Sequence, residues 1–84
     1  MIRAVDLADY VLAISSKELS NLELQQILYQ IELAYIRKFN KHLIADEFEA
    51  WNYGPVLREV YYKYRNYGAN SIEKPNLVLN KDRK

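Results

Sequence analysis

Apolar residues recur at helical spacing over three stretches of this chain, and they alternate with polar ones over a short stretch between the second and the third. In residues 2–15, Ala4, Leu7, Ala8, Val11, Leu12 and Ser15 share one face while Arg3, Asp6 and Asp9 fall off it, which predicts a first helix. Asp6 and Asp9 suit its opening turns, where the helix dipole favours negative charge.

The sharpest local signal is at Ser20. Glu23 follows it three residues later, as in a capping box, and Leu19 and Leu24 hold the two positions of a hydrophobic staple, so a second helix is predicted to begin at Asn21. It runs to Phe39, with Asn40-Lys41 as a turn. Leu24, Ile27, Leu28, Ile31, Ala34 and Tyr35 form one broad apolar stripe, and Leu22, Tyr29, Leu33 and Ile36 form another. Only a strip around Gln26, Gln30 and Arg37 is polar. A helix apolar over most of its circumference is buried by several neighbours, so this one is expected to be central.

Residues 47–51 alternate, with Phe48 and Ala50 facing one way and Glu49 the other, as in a half-buried strand. Leu43 and Ile44 lie just before, across Ala45-Asp46, and are expected to supply the other arm of a small hairpin. Trp51 is expected to seat that hairpin on the central helix. Gly54-Pro55 then punctuates the chain, and Pro at a first helical position predicts a third helix starting there. Val56, Leu57, Val60, Tyr61 and Tyr64 make its apolar face, Arg58, Glu59, Lys63 and Arg65 the opposite one, and Gly68 a left-handed stop. Beyond Gly68 the residues are polar or turn-forming, apart from Leu77, Val78 and Leu79. The reading is a mainly α domain with a small β-hairpin (α+β). It has three helices, the second central and the hairpin between the second and third, over residues 1–72 with a polar tail at 73–84.

With 84 residues this is one small domain, of a size that buries only about 60–65% of the surface its unfolded chain exposes. Eight tyrosines make its apolar half semi-polar, since each hydroxyl wants a partner or water. The absence of cysteine removes disulfides and thiolate chemistry and fits a reducing compartment, so the expected location is the cytoplasm. Arg3, Asp6 and Asp9 interrupt any signal-like apolar run, and no stretch approaches the ~20 apolar residues of a membrane span.

Catalysis is hard to assemble from these residues. His42 is the single histidine, it falls in a loop, and no serine stands in a strained Gly-x-Ser-x-Gly turn. A metal site from His42, Glu47 and Glu49 matches no recognised ligand spacing, and solvated charge explains those residues better. Gly54 and Gly68 are the only glycines, so there is no phosphate-cradling loop. The open N-terminus of the third helix could take an anion, with Glu49 or a neighbour the expected occupant. Tyr61, Tyr62, Tyr64 and Tyr67 interleave with Arg58, Lys63 and Arg65 in the manner of a base-stacking surface, yet a formal charge of +1 disfavours nucleic acid. Exposed tyrosine and arginine are also the residues enriched at protein contacts. That reading selects Tyr53, Arg58, Tyr62 and Arg65 as partner-binding candidates. No cofactor is expected.

Taken in order, Leu7-Ala8-Asp9-Tyr10-Val11-Leu12, Leu24-Gln25-Gln26-Ile27-Leu28-Tyr29, Phe48-Glu49-Ala50-Trp51-Asn52-Tyr53-Gly54-Pro55-Val56, Val60-Tyr61 and Tyr67-Gly68 resemble the Panacea domain family, which includes SocA-like antitoxins and GepA-like phage-associated proteins. The most specific part is Glu49, Ala50, Trp51, Tyr53, Gly54, Pro55 and Val56, expected to be a structural motif. Gln26 stands where the family often has Lys. The family's further helices and its Thr-His or Ser-His and Pro-Trp-like motifs are not in this sequence, so the resemblance is to the N-terminal part of the domain.

What the resemblance implies is a non-enzymatic protein-binding module that neutralises a cognate toxin by direct contact, with one branch of the family also acting as a protease adaptor. The alternatives are a nucleic-acid-binding regulator and a phage-associated interaction protein without a toxin. Apolar surface left over on the central helix also predicts either a homodimer through the first and second helices, with Leu77 to Leu79 packing across, or a chain that stays partly unfolded until a partner binds.

Overall fold

The computed structural model describes residues 1–75; Leu77, Val78 and Leu79 lie outside the described residues. The chain runs through α1 (Ala4–Ile14), α2 (Asn21–Phe39), β1 (Glu49–Trp51), β2 (Gly54–Val56) and α3 (Arg58–Tyr64), which ends in a 3-10 turn (Arg65–Tyr67). The fold is α+β, with its two-stranded antiparallel hairpin between the second and third helices, as the apolar pattern predicts.

The start of α2 is built as its sequence requires. Glu23 N–H donates to Ser20 Oγ at 3.2 Å and Ser20 N–H to Glu23 Oε1 at 3.0 Å, so two donors that the helix cannot satisfy internally are paired. Leu19 and Leu24, the staple pair, both lie in the core. Asn40 closes the helix at φ 58°, a left-handed position that asparagine tolerates better than most residues. α1 has no side-chain cap of its own; the Ala4 N–H instead donates to Asp46 Oδ1, 2.9 Å away and 42 residues later. Asp46, part of the short connection before the hairpin, is thus a cap supplied from a distant loop.

The hairpin differs from the expected pairing. β1 pairs with β2, in the register Glu49 to Val56, Ala50 to Pro55 and Trp51 to Gly54. Ile44 forms a parallel bridge with Ile2, with Ile2 N–H on Leu43 O at 2.9 Å and Ala45 N–H on Ile2 O at 2.7 Å. The Leu43-Ile44 arm is therefore held by the N-terminal strand-like residues. Gly54 sits at φ +115°, a conformation that other residues rarely adopt, and this lets the chain turn after Asn52-Tyr53 and pair back at once. Pro55 is consequently a strand residue opposite Ala50, and α3 starts three residues later than the Gly-Pro signal predicts.

The core gathers Ala4, Ala8, Val11 and Leu12 of α1 with Leu24 and Leu28 of α2, Leu57, Val60 and Tyr64 around α3, and Leu19, Ile44 and Ile72 from the connections. After the 3-10 turn the chain returns to the start of α2, where Ile72 N–H donates to Leu19 O at 2.7 Å and Ser71 bridges Ser20. α2 is central, but not for the reason its composition gives. Its buried positions include Asn21, Gln25 and Glu32 beside Leu24 and Leu28, while Leu22 and Phe39 are exposed. Asn21, Gln25, Leu28 and Glu32 follow the i, i+4, i+7, i+11 spacing of one helical face, so a polar row runs through the buried side.

Candidate functional site

Each polar residue of that row grips the backbone of a different segment. Gln25 Oε1 accepts from Leu57 N–H at 2.8 Å, and its Nε2 donates to Leu57 O at 3.3 Å. The amide thus pairs with Leu57, the residue just before α3, much as a strand residue would, while Glu49, the expected occupant of the helix opening, binds the Arg58 guanidinium instead. Asn21 Nδ2 donates to Tyr61 O at 3.1 Å, a carbonyl in the last turn of α3 where helical partners run out. Glu32 Oε1 accepts from Leu43 N–H at 3.0 Å and Ile44 N–H at 3.1 Å, and Oε2 meets His42 Nδ1 at 2.7 Å. Burial acts to raise the Glu32 carboxyl, but the bonds from His42, Ile44 and Leu43 outweigh it and hold the group below the usual carboxylate range. The loop after α2 is thereby tied to the helix it leaves.

The hairpin and α3 meet through aromatic rings and one carboxylate. Trp51 lies edge-on to Tyr61, with ring centroids 4.9 Å apart, and to Tyr62 at 6.4 Å. Its ring partners lie on α3, and it also shares the wall of a groove with Asn21, Leu22 and Gln25 of the central helix, on which the sequence reading seats it. Glu49 Oε1 accepts both Trp51 Nε1–H at 3.0 Å and a guanidinium N–H of Arg58 at 3.1 Å, and Oε2 meets Arg58 Nε at 3.0 Å. The indole N–H and then the forked guanidinium hold the Glu49 carboxyl below its ordinary value. On the far side of α3, Asp9 accepts from Lys63 Nζ at 2.8 Å and from the Tyr64 hydroxyl, which joins α3 to α1. Burial first, and Asp9 second, push the Tyr64 phenol well above its ordinary value, so the hydroxyl stays a donor.

The four candidate contact residues all lie on the hairpin and α3, but they are not one cluster. Arg65 stacks on Tyr62, its guanidinium carbon 5.1 Å from the ring centroid, and Tyr62 is exposed. Arg58 is committed to Glu49. Tyr53, at 74% exposure, stands at the hairpin turn and enters no aromatic pair among the described residues. Beside it a groove opens between the first turn of α2, the hairpin and the chain after α3, lined among others by Leu22, Trp51, Tyr53 and Tyr61. The sequence reading places Leu22 on an apolar stripe of the central helix and assigns neither it nor Ala69 to a contact surface. A Leu at an exposed helical position beside a hairpin that carries Trp51 and Tyr53 is the signal that bears on them.

His42, Glu47 and Glu49, which the sequence reading disfavours as metal ligands, have separate surroundings. His42 pairs with Glu32, Glu49 with Arg58 and Trp51, and Glu47 is exposed; among the described residues no three His, Asp or Glu side chains are grouped to hold a metal ion. No described helix is long and apolar enough to cross a membrane.

Comparison with known proteins returns one finding. The family model described as antitoxin SocA-like, Panacea domain, matches residues 24–83, a span that takes in most of α2, the hairpin and α3. No curated protein and no solved structure matches. With most of its length covered by that model, the chain belongs to the SocA-like antitoxin, Panacea domain family.

Proposed function

We propose that this chain is a non-enzymatic protein-binding module that neutralises a cognate toxin by direct contact, through the surface made by the hairpin and α3. The family match carries the reading. The geometry supports the choice of surface: Tyr53 and Tyr62 are large exposed aromatics on a face stiffened by the Glu49–Arg58–Trp51 bonds, and the Arg65 guanidinium sits over the Tyr62 ring. Rigid aromatic and arginine side chains lose little conformational freedom on binding, which is why contact energy concentrates in them. The same geometry speaks against nucleic acid, because Lys63 is paired with Asp9 and Arg58 with Glu49, which leaves Arg65 as the one cation of the α3 face without a carboxylate partner among the described residues.

The test is co-expression with the product of the adjacent gene. Wild-type protein is expected to restore growth and to bind the toxin, and the variant with Tyr53, Arg58, Tyr62 and Arg65 all changed to Ala is expected to lose at least about a hundredfold in affinity, the equivalent of two modest hot spots. Neutralisation left intact by the fourfold variant would rule this surface out.

A further inference from the structure

We propose that the outer edge of β1 is a strand-addition site, where an extended segment of a protein partner, alternating apolar and basic side chains, pairs as a third strand; this rests on the protein-binding reading above and adds a second surface to it. Pro55 has no N–H, so the Ala50–Pro55 pair cannot be one that exchanges two hydrogen bonds, and the ladder runs through the pairs on either side of it, Glu49 with Val56 and Trp51 with Gly54. Bonded and non-bonded pairs alternate along an antiparallel ladder, so Ala50 turns both its N–H and its C=O away from β2. Ala50 is exposed, and it takes part in none of the backbone bonds that link the described turns and loops. On the other edge β2 packs against α2, and its outward residue is Pro55, which has no donor to offer. β1 therefore presents the donor and acceptor that an extended backbone satisfies and that a helix, whose peptide groups are already paired, does not.

The side chains of the incoming strand are set by the surroundings of that edge. A cavity of about 280 Å³ runs along β1 from Tyr29 and Phe48, whose rings meet edge-on at 5.1 Å, past Ala50 to Pro55, and its one charged lining residue, Glu49, already holds Arg58 and Trp51. An apolar side chain laid there loses water against two rings. On the alternate positions the charge is negative. Between Leu43 and Leu57 the chain carries Asp46, Glu47 and Glu49 and neither Lys nor Arg. Asp46 caps α1 and Glu49 binds Arg58, which leaves Glu47 exposed and without an ion pair among the described residues, so a cation on the incoming strand is matched at Glu47. Edge strands are commonly guarded by lysine, whereas the guard here has the opposite sign and turns away acidic strands. It also turns away a second copy. With Ala50 set opposite Ala50, the two Glu49 side chains would stand diagonally on one face, their residues about 7–8 Å apart, and no cation would meet either Glu47.

The probe is an N-acetylated, C-amidated hexapeptide of alternating valine and lysine, titrated into the full chain and followed through the backbone amides by NMR. The same peptide with every backbone N–H methylated and a valine–glutamate peptide are run in parallel. The expected result is saturable binding with shifts gathered at Phe48, Ala50 and Trp51 and slower hydrogen exchange at the Ala50 amide, weakened at least about tenfold by methylation and about threefold or more by the change to glutamate. Ala50→Pro removes the outward N–H and no bond of the hairpin, and is expected to weaken the probe about threefold to tenfold. Glu47→Lys, at an exposed position, is expected to weaken the lysine peptide while the spectrum stays folded, and it decides the matter with the methylated peptide if the proline variant does not fold. Binding that does not saturate, equal affinity for the methylated or glutamate peptide, or shifts centred elsewhere would overturn the proposal. Protection of the Ala50 amide on concentrating the protein alone would assign the edge to a second copy and overturn it too. No toxin enters this measurement, so its failure leaves the neutralisation reading standing, and failed neutralisation with intact probe binding separates the two the other way.

Discussion

Replacing Gln25 with Leu isolates the amide that opens α3. Leucine has nearly the same volume and helix propensity as glutamine, so the helix itself is not weakened. Two bonds to Leu57 disappear, but their losses differ. Leu57 O keeps the Tyr61 N–H, which donates to it at 3.0 Å, whereas Leu57 N–H has Gln25 as its partner and the residue is 0% exposed. The expected loss is therefore one buried orphaned donor, about 1–3 kcal/mol, and not two. Set against the roughly 4–12 kcal/mol expected for a chain of 84 residues, that is a large share. Urea unfolding followed by circular dichroism should show a lowered midpoint at unchanged slope, and a melting temperature down by about 4–8 °C per kcal/mol. Gln25→Glu adds a check on the sign. A carboxylate can accept from Leu57 N–H but repels Leu57 O, while its protonated form can do what glutamine does. Its folded-state pKa is thus raised, so the variant should approach wild-type stability below about pH 4 and lose it as the pH rises through that raised value. A leucine variant with an unmoved midpoint would refute the reasoning.

Three further outcomes are expected. Because Glu32 is held below its ordinary value, its contribution to stability is present above about pH 4.3 and fades as the pH falls through the lowered folded-state value; acid titration of wild type against Glu32→Gln should show a shallower acid slope in the variant. Trp51 is only partly buried, so Trp51→Ala is expected to cost about 1–3 kcal/mol, less than the ~3–5 of a fully buried aromatic, with thermal melting as the measure; a loss above that range would mean the hairpin and α3 come apart together. Tyr10 and Ile14 on α1 and Leu22 and Phe39 on α2 are exposed, and a homodimer that covers them is expected; sedimentation at low micromolar concentration and a melting temperature that falls on dilution would support it, and a concentration-independent monomer would remove it.

The parts of this fold that were legible from sequence are those decided by neighbours in the chain. Ser20 and Glu23 fix the start of α2 because both capping bonds close within four residues, and Gly68 marks the end of the last turn for a comparably local reason. The hairpin register was misplaced because alternation alone does not say which strand a strand pairs with; Gly54 at φ +115° and a two-residue turn decide it, and Pro55 reads equally well as helix start or edge strand. The polar row of α2 was invisible for a related reason. Gln25 and Glu32 look like surface residues until the backbone groups they bind, 32 and 11 or more positions away, are brought beside them. Tyr53, Tyr62 and Arg65 were recognisable by residue type, while the groove beside Tyr53 needs residues from three separate segments and has no local signature.

Asn21, Gln25 and Glu32 hold Tyr61, Leu57, Leu43 and Ile44 by main-chain atoms alone. Those grips do not read the side chains of the segments they hold. A hairpin tip or an outer face of α3 can accordingly change its residues, and with them its recognition, without renegotiating how the segment is moored, so long as the peptide groups stay where they are. That separates the part of the molecule that must stay constant from the part that is free to diversify.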